Sequence, residues 1–254
     1  MAGTPTPIVL LHGFTQTSAG WDPVVDALRP LLDDGTTIEA PDLPGHGTAA
    51  RDRADLPGAA AALAAGIDDP ALVVGYSMGG RLALRLALDH PDRVAALVLV
   101  GATAGIDDPH ERAARRTADA ALADRIEAIG TLAFLDEWVA QPLFAGLELT
   151  PADRAAREAN DPAGLASSLR LAGTGTMDPP WWDELARIDV PVVVAWGERD
   201  AKFAALGARL VVAIGQNAAG AAVPDAGHAA HLEQPAFVAE LVVELAARVR
   251  DLRG

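Results

Sequence analysis

Ser77 stands in the run Gly75-Tyr76-Ser77-Met78-Gly79-Gly80, between an apolar stretch (71–74) and a segment whose leucines recur with helical spacing. A serine hydroxyl is a weak nucleophile and a weak base until a neighbour takes its proton. Glycines on both sides permit a turn so tight that the serine is held at the edge of a sheet, in front of a helix N-terminus. Gly and Ser are common in ordinary turns, so the five residues alone say little. Between a strand pattern and a helix pattern they become specific.

A serine so placed needs a histidine as base and a carboxylate to orient it, following in the chain order Ser, acid, His. Six histidines compete. His12 and His46, in "LHGF" and "PGHG", lie upstream of the serine. His90 precedes Pro91 at a helix end and His110 opens another helix, both solvated positions. His228, in "PDAGHAAH", follows the last weak strand pattern, and His231 falls in the helix beyond it. His228 is therefore the expected base. The two share no further ligands that would make a zinc site. Asp200, ending "VVVAWGERD", is the expected acid, although Asp in that place also reads as a helix N-cap. Asp225 lies too close along the chain to His228, and Asp107 and Asp108 follow their strand less directly. Two backbone N–H groups should stabilise an oxyanion: Met78, after the serine, and Phe14, in the loop after the first strand.

The elements that must position these groups are legible as apolar runs. Six lack the alternation of half-exposed strands (7–13, 36–42, 71–77, 94–102, 190–200 and, weakly, 220–227), as in a parallel sheet covered on both faces. Helical patterns at 20–33, 57–66, 79–90 and 201–214 lie between them, which predicts a doubly wound α/β sheet. Residues 103–188 break the rhythm with no strand. Asp108, Pro109 and Glu111 form a helix start, Leu122, Ile126 and Ile129 give a core stripe, and helical pieces follow at 131–139, 151–159 and 163–171. The expectation is a helical lid over the carboxyl edge of the sheet, where ligands of such folds bind, in a single domain spanning 1–254.

The chain has 254 residues, a net charge of −15 and no cysteine. That field excludes a nucleic-acid partner and opposes an anionic ligand unless arginines gather locally. Neither disulfides nor thiolate metal sites are possible. The first residues lack a leader pattern and no apolar run has the length of a membrane span, so a soluble cytoplasmic protein is expected. No dinucleotide, phosphate-loop or metal motif appears, and no cofactor is expected. The oligomeric state is left open.

Taken together, "LLHGFTQTSAGWDPV", "PDLPGHG", "GYSMGGRLAL", "GERD" and "AGHAAHLEQP" resemble the α/β-hydrolase superfamily over nearly the whole chain. "GATAGIDDPHERAARRTAD", "FLDEWVAQPLF" and "GERDAKF" resemble, more narrowly, the 2-succinyl-6-hydroxy-2,4-cyclohexadiene-1-carboxylate (SHCHC) synthase family of menaquinone biosynthesis. These are lyases built on the hydrolase fold. The resemblance implies a tricarboxylate cyclohexene substrate from which pyruvate is eliminated. It places Arg81, Arg115 and Arg157 at an anion site, Trp138 over the substrate and Tyr76 beside the serine. Each has a plainer reading: Arg81 on an exposed helix face, Arg115 in a solvated basic patch with Arg112 and Arg116, Trp138 in core packing with Phe134. Arg154 lies one turn from Arg157. Lys202 and Phe203 match the family's "KF" with no role attached. The usual first strands of the superfamily are shortened or absent. Ser77 would serve as base or as acylated nucleophile. A hydrolase of esters, lactones or carbon–carbon bonds, a small-molecule receptor and a scaffold are the alternatives.

Overall fold

A computed structural model describes residues 5–253. Residues 1–4, part of the stretch inspected for a leader, and Gly254 lie outside the described residues.

Six strands form one sheet, β1 (Ile8–Leu11), β2 (Ile38–Glu39), β3 (Ala71–Tyr76), β4 (Val94–Val100), β5 (Val192–Gly197) and β6 (Ala218–Val223). Their order is β2-β1-β3-β4-β5-β6, and every pairing is parallel. β3 and β4 are buried along their entire length, as their unbroken apolar sequence predicts. Alternate residues feed opposite faces. Val9, Leu11, Val73, Leu97 and Leu99 pack with α2 (Leu56–Gly66), α3 (Met78–Asp89) and α7 (Ala201–Ile214). Ile8, Leu10, Val74, Val98 and Val100 pack with α1 (Asp22–Leu28) and α9 (Pro235–Arg253).

Because all strands run one way, their carboxyl ends share one edge. Leu11 pairs with Gly75 and Gly75 with Leu99, so the loops after β1, β3 and β4 emerge side by side. β5 and β6 finish at the same edge.

Some boundaries differ from the sequence patterns. The helix expected over 20–33 is α1 flanked by two 3₁₀ turns, since Pro30 has no N–H to continue it. β2 is two residues long, at the sheet margin, and ends two residues before Pro41. β6 begins two residues earlier than expected.

Between β4 and β5 no strand occurs among the described residues. The segment holds α4 (Pro109–Val139), α5 (Pro151–Glu158) and α6 (Pro162–Ala172). Asp108 caps α4 by accepting from the amides of His110 and Glu111 at 2.8 and 2.9 Å, and Asp161 caps α6 through Gly164 at 2.8 Å. α4 is kinked at Gly130 (φ 77°, ψ 166°), a left-handed backbone that glycine adopts without a side-chain clash. The segment has its own core of Ala123, Ile126, Phe134, Leu165, Ala166 and Leu169, with Phe14 and Trp138 against it. α8 (Ala230–Glu233) completes the set.

Candidate active site

Ser77 joins β3 to α3 with φ 50° and ψ −102°, a conformation that costs a non-glycine residue about 1–3 kcal/mol. The glycines beside it are required by contact. A Cβ on Gly79 would lie 2.0 Å from the Leu11 carbonyl oxygen, and one on Gly75 would lie 2.4 Å from that of Gly79. Both obstacles are backbone and cannot swing away. Gly79→Ala should therefore destabilise the protein by about 3 kcal/mol, the upper end of ordinary overpacking, read as a fall in the urea midpoint. A midpoint unchanged by the substitution would show that the elbow has slack.

His228 follows β6 and is 3 % exposed. Its Nδ1–H donates to Asp200 Oδ2 at 2.9 Å, and its Nε2 faces Ser77 Oγ at 3.3 Å. Asp200 uses its other oxygen to accept from the Phe203 amide at 3.1 Å. The two readings of Asp200 are thus compatible, because one carboxylate caps α7 and orients His228. Burial pushes the Asp200 carboxyl up, but the His228 and Phe203 hydrogen bonds outweigh it, leaving its pKa below the ordinary value. The rings of Phe203 and Tyr76 lie 4.2 and 5.3 Å from His228. Burial pushes the Tyr76 phenol up, so that it stays protonated.

These groups open onto a cavity that residues of the helical segment also line. Phe14, Tyr76, Ser77, Met78 and His228 line it from the sheet edge, while Arg115, Trp138, Phe144, Ser168 and Thr174 line it from the segment. Met78 is the first residue of α3, where backbone N–H groups point out of the helix unpaired. Trp138 lines the cavity and also stacks on Phe134 at 5.8 Å and 24°.

Arg81, Arg115 and Lys202 line the same cavity, and no Asp or Glu does so among the described residues. Arg81 is 8 % exposed. One of its terminal nitrogens donates to the Ala172 carbonyl at 2.9 Å, and its Nε has no partner. Burial, then the charge of Arg115, lowers its pKa to about 10 against the opposing pull of Asp119, which still leaves it cationic at neutral pH. Arg115 Nε donates to the buried Asp119 at 2.8 Å.

Arg157, which the resemblance places at the anion site, is not among the residues that line this cavity. It is 2 % exposed, paired through Nε with both Asp153 oxygens at 3.0 Å and donating to Thr15 Oγ1 at 3.1 Å. Asn160 donates to the Thr15 carbonyl at 2.9 Å. Thr15 has φ 67°, so α5 and the turn after it hold a strained residue next to Phe14. His12 supports that loop from below. Burial lowers its pKa to about 4, and the neutral ring donates to Gly13 and accepts from Leu43 at 2.8 and 2.9 Å. His231 is fully buried, with its Nε2 3.0 Å from Gln16 Nε2. Sequence reasoning missed Ser168 and Thr174, which carry no motif, and gave no role to Phe144, although that residue ends "FLDEWVAQPLF". For Phe203 the signal was present in "KF".

The chain matches the family model "Alpha/beta hydrolase family" over residues 8–241. A curated relative from Bacillus subtilis (strain 168), provisionally named 2-succinyl-6-hydroxy-2,4-cyclohexadiene-1-carboxylate synthase, is 36 % identical, covering 93 % of this chain and 89 % of that protein. One from Enterobacter sp. (strain 638), carrying the same name without the qualifier, is 33 % identical, covering 96 % and 93 %. Among solved structures, MenH from S. aureus superposes with a TM-score of 0.89 at 27 % identity, covering 98 % of this chain and 96 % of that one.

Proposed function

The chain belongs to the alpha/beta hydrolase family and, within it, to the SHCHC synthases, and from that membership we propose how its residues divide the reaction. The enzyme is a lyase of menaquinone biosynthesis. It eliminates pyruvate from 2-succinyl-5-enolpyruvyl-6-hydroxy-3-cyclohexene-1-carboxylate and leaves SHCHC.

His228, held in its Nδ1–H tautomer by Asp200, takes the Ser77 proton. Ser77 Oγ then removes the ring proton beside the succinyl ketone. The enolate forms against the amides of Phe14 and Met78, donors aimed where charge develops. Its electrons move through the ring and break the carbon–oxygen bond to the enolpyruvyl group, which leaves with the electron pair and is protonated to pyruvate by way of His228. The Ser77–His228 separation of 3.3 Å is of the loose kind that tightens when substrate binds. These steps use proton transfer and electrostatics, without a cofactor. The helical segment acts as a lid and the whole chain, 1–254, as one domain. Tyr76 and Trp138 pack against the ring of the substrate, and Arg81 and Arg115 take its carboxylates. We place the activity in the cytoplasm, with a small anion as partner rather than nucleic acid or membrane. No helix among the described residues is long and apolar enough to cross a membrane.

One observation carries this reading. A protein of net charge −15 lines the cavity at a serine base with three cations and, among the described residues, no Asp or Glu. Hydrolysis of a neutral ester has no use for them. Turnover of the tricarboxylate, followed by pyruvate release, should far exceed hydrolysis of p-nitrophenyl acetate in kcat/KM. The reverse ranking would favour an ester hydrolase using the same triad.

Arg157 enters as a positioning residue acting through Thr15 on the Phe14 amide. Arg157→Ala and Asn160→Ala should lower kcat roughly tenfold to a hundredfold, the cost of a displaced catalytic donor, while leaving KM little changed. A raised KM at constant kcat would return Arg157 to direct substrate binding.

A further inference from the structure

Lys202 is the only lysine in the chain; the other nineteen of its twenty basic Lys and Arg residues are arginine. It sits at the second position of α7, two residues after Asp200, and its side chain lines the active-site cavity. The arginines elsewhere are mostly engaged. Arg112, Arg154, Arg170 and Arg209, for example, each pair with carboxylates. Lys202 makes no close ion pair among the described residues, although its charge acts on Asp200; its ammonium lies 5.6 Å from the ring centre of Phe203, the side chain that packs on His228. Of the other two cavity cations, Arg81 has an unpaired Nε and Arg115 spends its Nε on Asp119.

The three cations come from three elements, Arg81 from α3, Arg115 from α4 and Lys202 from α7. Arg81 and Arg115 lie near enough for the charge of one to act on the other, while Lys202 enters from the helix that Asp200 caps. The substrate carries carboxylates on its ring, its succinyl arm and its enolpyruvyl arm. Two arginines leave one of them without a counter-ion. Arg157 is set aside by its place: although one of its terminal nitrogens has no hydrogen-bond partner among the described residues, the side chain is buried against Asp153 and Thr15 and is absent from the cavity lining. A lysine suits the remaining place at the cavity rim. Its ammonium is a compact point charge on a flexible stem, able to meet a carboxylate without the fixed planar approach a guanidinium demands.

We propose that Lys202 binds the third carboxylate of the substrate, the one not held by Arg81 and Arg115. This rests on the lyase reading given above, so the test separates the two.

In steady-state kinetics Lys202→Met should raise KM for the tricarboxylate roughly tenfold, the worth of one charge-assisted hydrogen bond at a partly solvated site, with a much smaller change in kcat. Lys202→Arg, which keeps the charge, should restore most of the loss. The position is exposed in the first turn of a helix, so both variants should fold, as a thermal melt would verify. Because Lys202 is the only ε-amine, an amine-selective reagent such as trinitrobenzenesulfonate reports on it directly, with the chain's α-amine as internal reference. In a Ser77→Ala background the tricarboxylate should slow labelling of Lys202 and leave the α-amine rate unchanged. Wild-type turnover combined with an unaltered KM in Lys202→Met, or equal labelling rates with and without the tricarboxylate, would overturn the proposal. Failure of the wild type to release pyruvate would instead overturn the lyase reading. In that event protection of Lys202 by the tricarboxylate would still support anion binding, and its absence would not.

Discussion

Ser77→Ala and His228→Ala are each expected to lower kcat by about a thousandfold or more, and the double variant by little more than either alone, because the residues act as one unit. Neither change should unfold the protein. Alanine removes only a hydroxyl at Ser77, and the strained turn remains fixed by Gly75 and Gly79. Asp200→Asn is the more informative variant. An asparagine can still cap α7 through its carbonyl oxygen, but its NH₂ then meets His228 Nδ1. That pairing drives the proton to Nε2, the nitrogen that must accept from Ser77, so a large loss with an intact fold is expected. His231→Ala is the control. Its ring is buried beside Tyr76 and Trp21, at 4.1 and 4.8 Å, so it should cost stability more than kcat. A mild effect of His228→Ala beside a severe kcat loss in folded His231→Ala would transfer the base role to His231.

The second large effect concerns the choice of substrate. Arg81→Ala and Arg115→Ala should each raise KM for the tricarboxylate by about ten- to a hundredfold, since a charge-assisted hydrogen bond contributes roughly 1.5–3 kcal/mol. Arg81 should show the larger loss. It is the more deeply buried and lacks a carboxylate of its own, whereas Arg115 is partly neutralised by Asp119. Hydrolysis of a small neutral ester, if measurable, should barely change. The check is kcat/KM on both substrates for both variants, alongside urea unfolding. Proportional losses on the two substrates would reduce the arginines to supports of the fold.

What could be read from the sequence follows from how local each signal is. Gly75-x-Ser77-x-Gly79 is a contact pattern within five residues, and the apolar strands that flank it are unbroken. Asp200 and His228 are distant in the chain, yet each follows its own strand pattern, and a parallel sheet brings such ends to one edge. Arg157 lacked that kind of constraint. The group that engages it, Thr15, lies 142 residues away, and its i,i+4 partner Asp153 looks like any surface pair. Only packing shows that the pair is buried. Ser168 and Thr174 likewise reach the cavity because α6 lies where it does. The sequence patterns give two helical stretches that meet at Gly130, where the structure has a single helix bent in two.

β4 and β5 are neighbours in the sheet, yet residues 101–191 lie between them. Closing a loop of about ninety residues instead of the roughly thirty of an ordinary crossover costs only about 1 kcal/mol more, because the penalty grows with the logarithm of length. The segment's separate core offsets even that. Insertions, deletions and wholesale rewriting of this stretch are accordingly cheap for the sheet, while the sheet-borne Ser77, Asp200 and His228 tolerate almost no displacement. Heredity can then treat the two parts of the site differently, keeping one reaction centre through long descent while the wall that the segment supplies, Arg115 and Trp138 included, is exchanged and the lineage moves from one substrate to another.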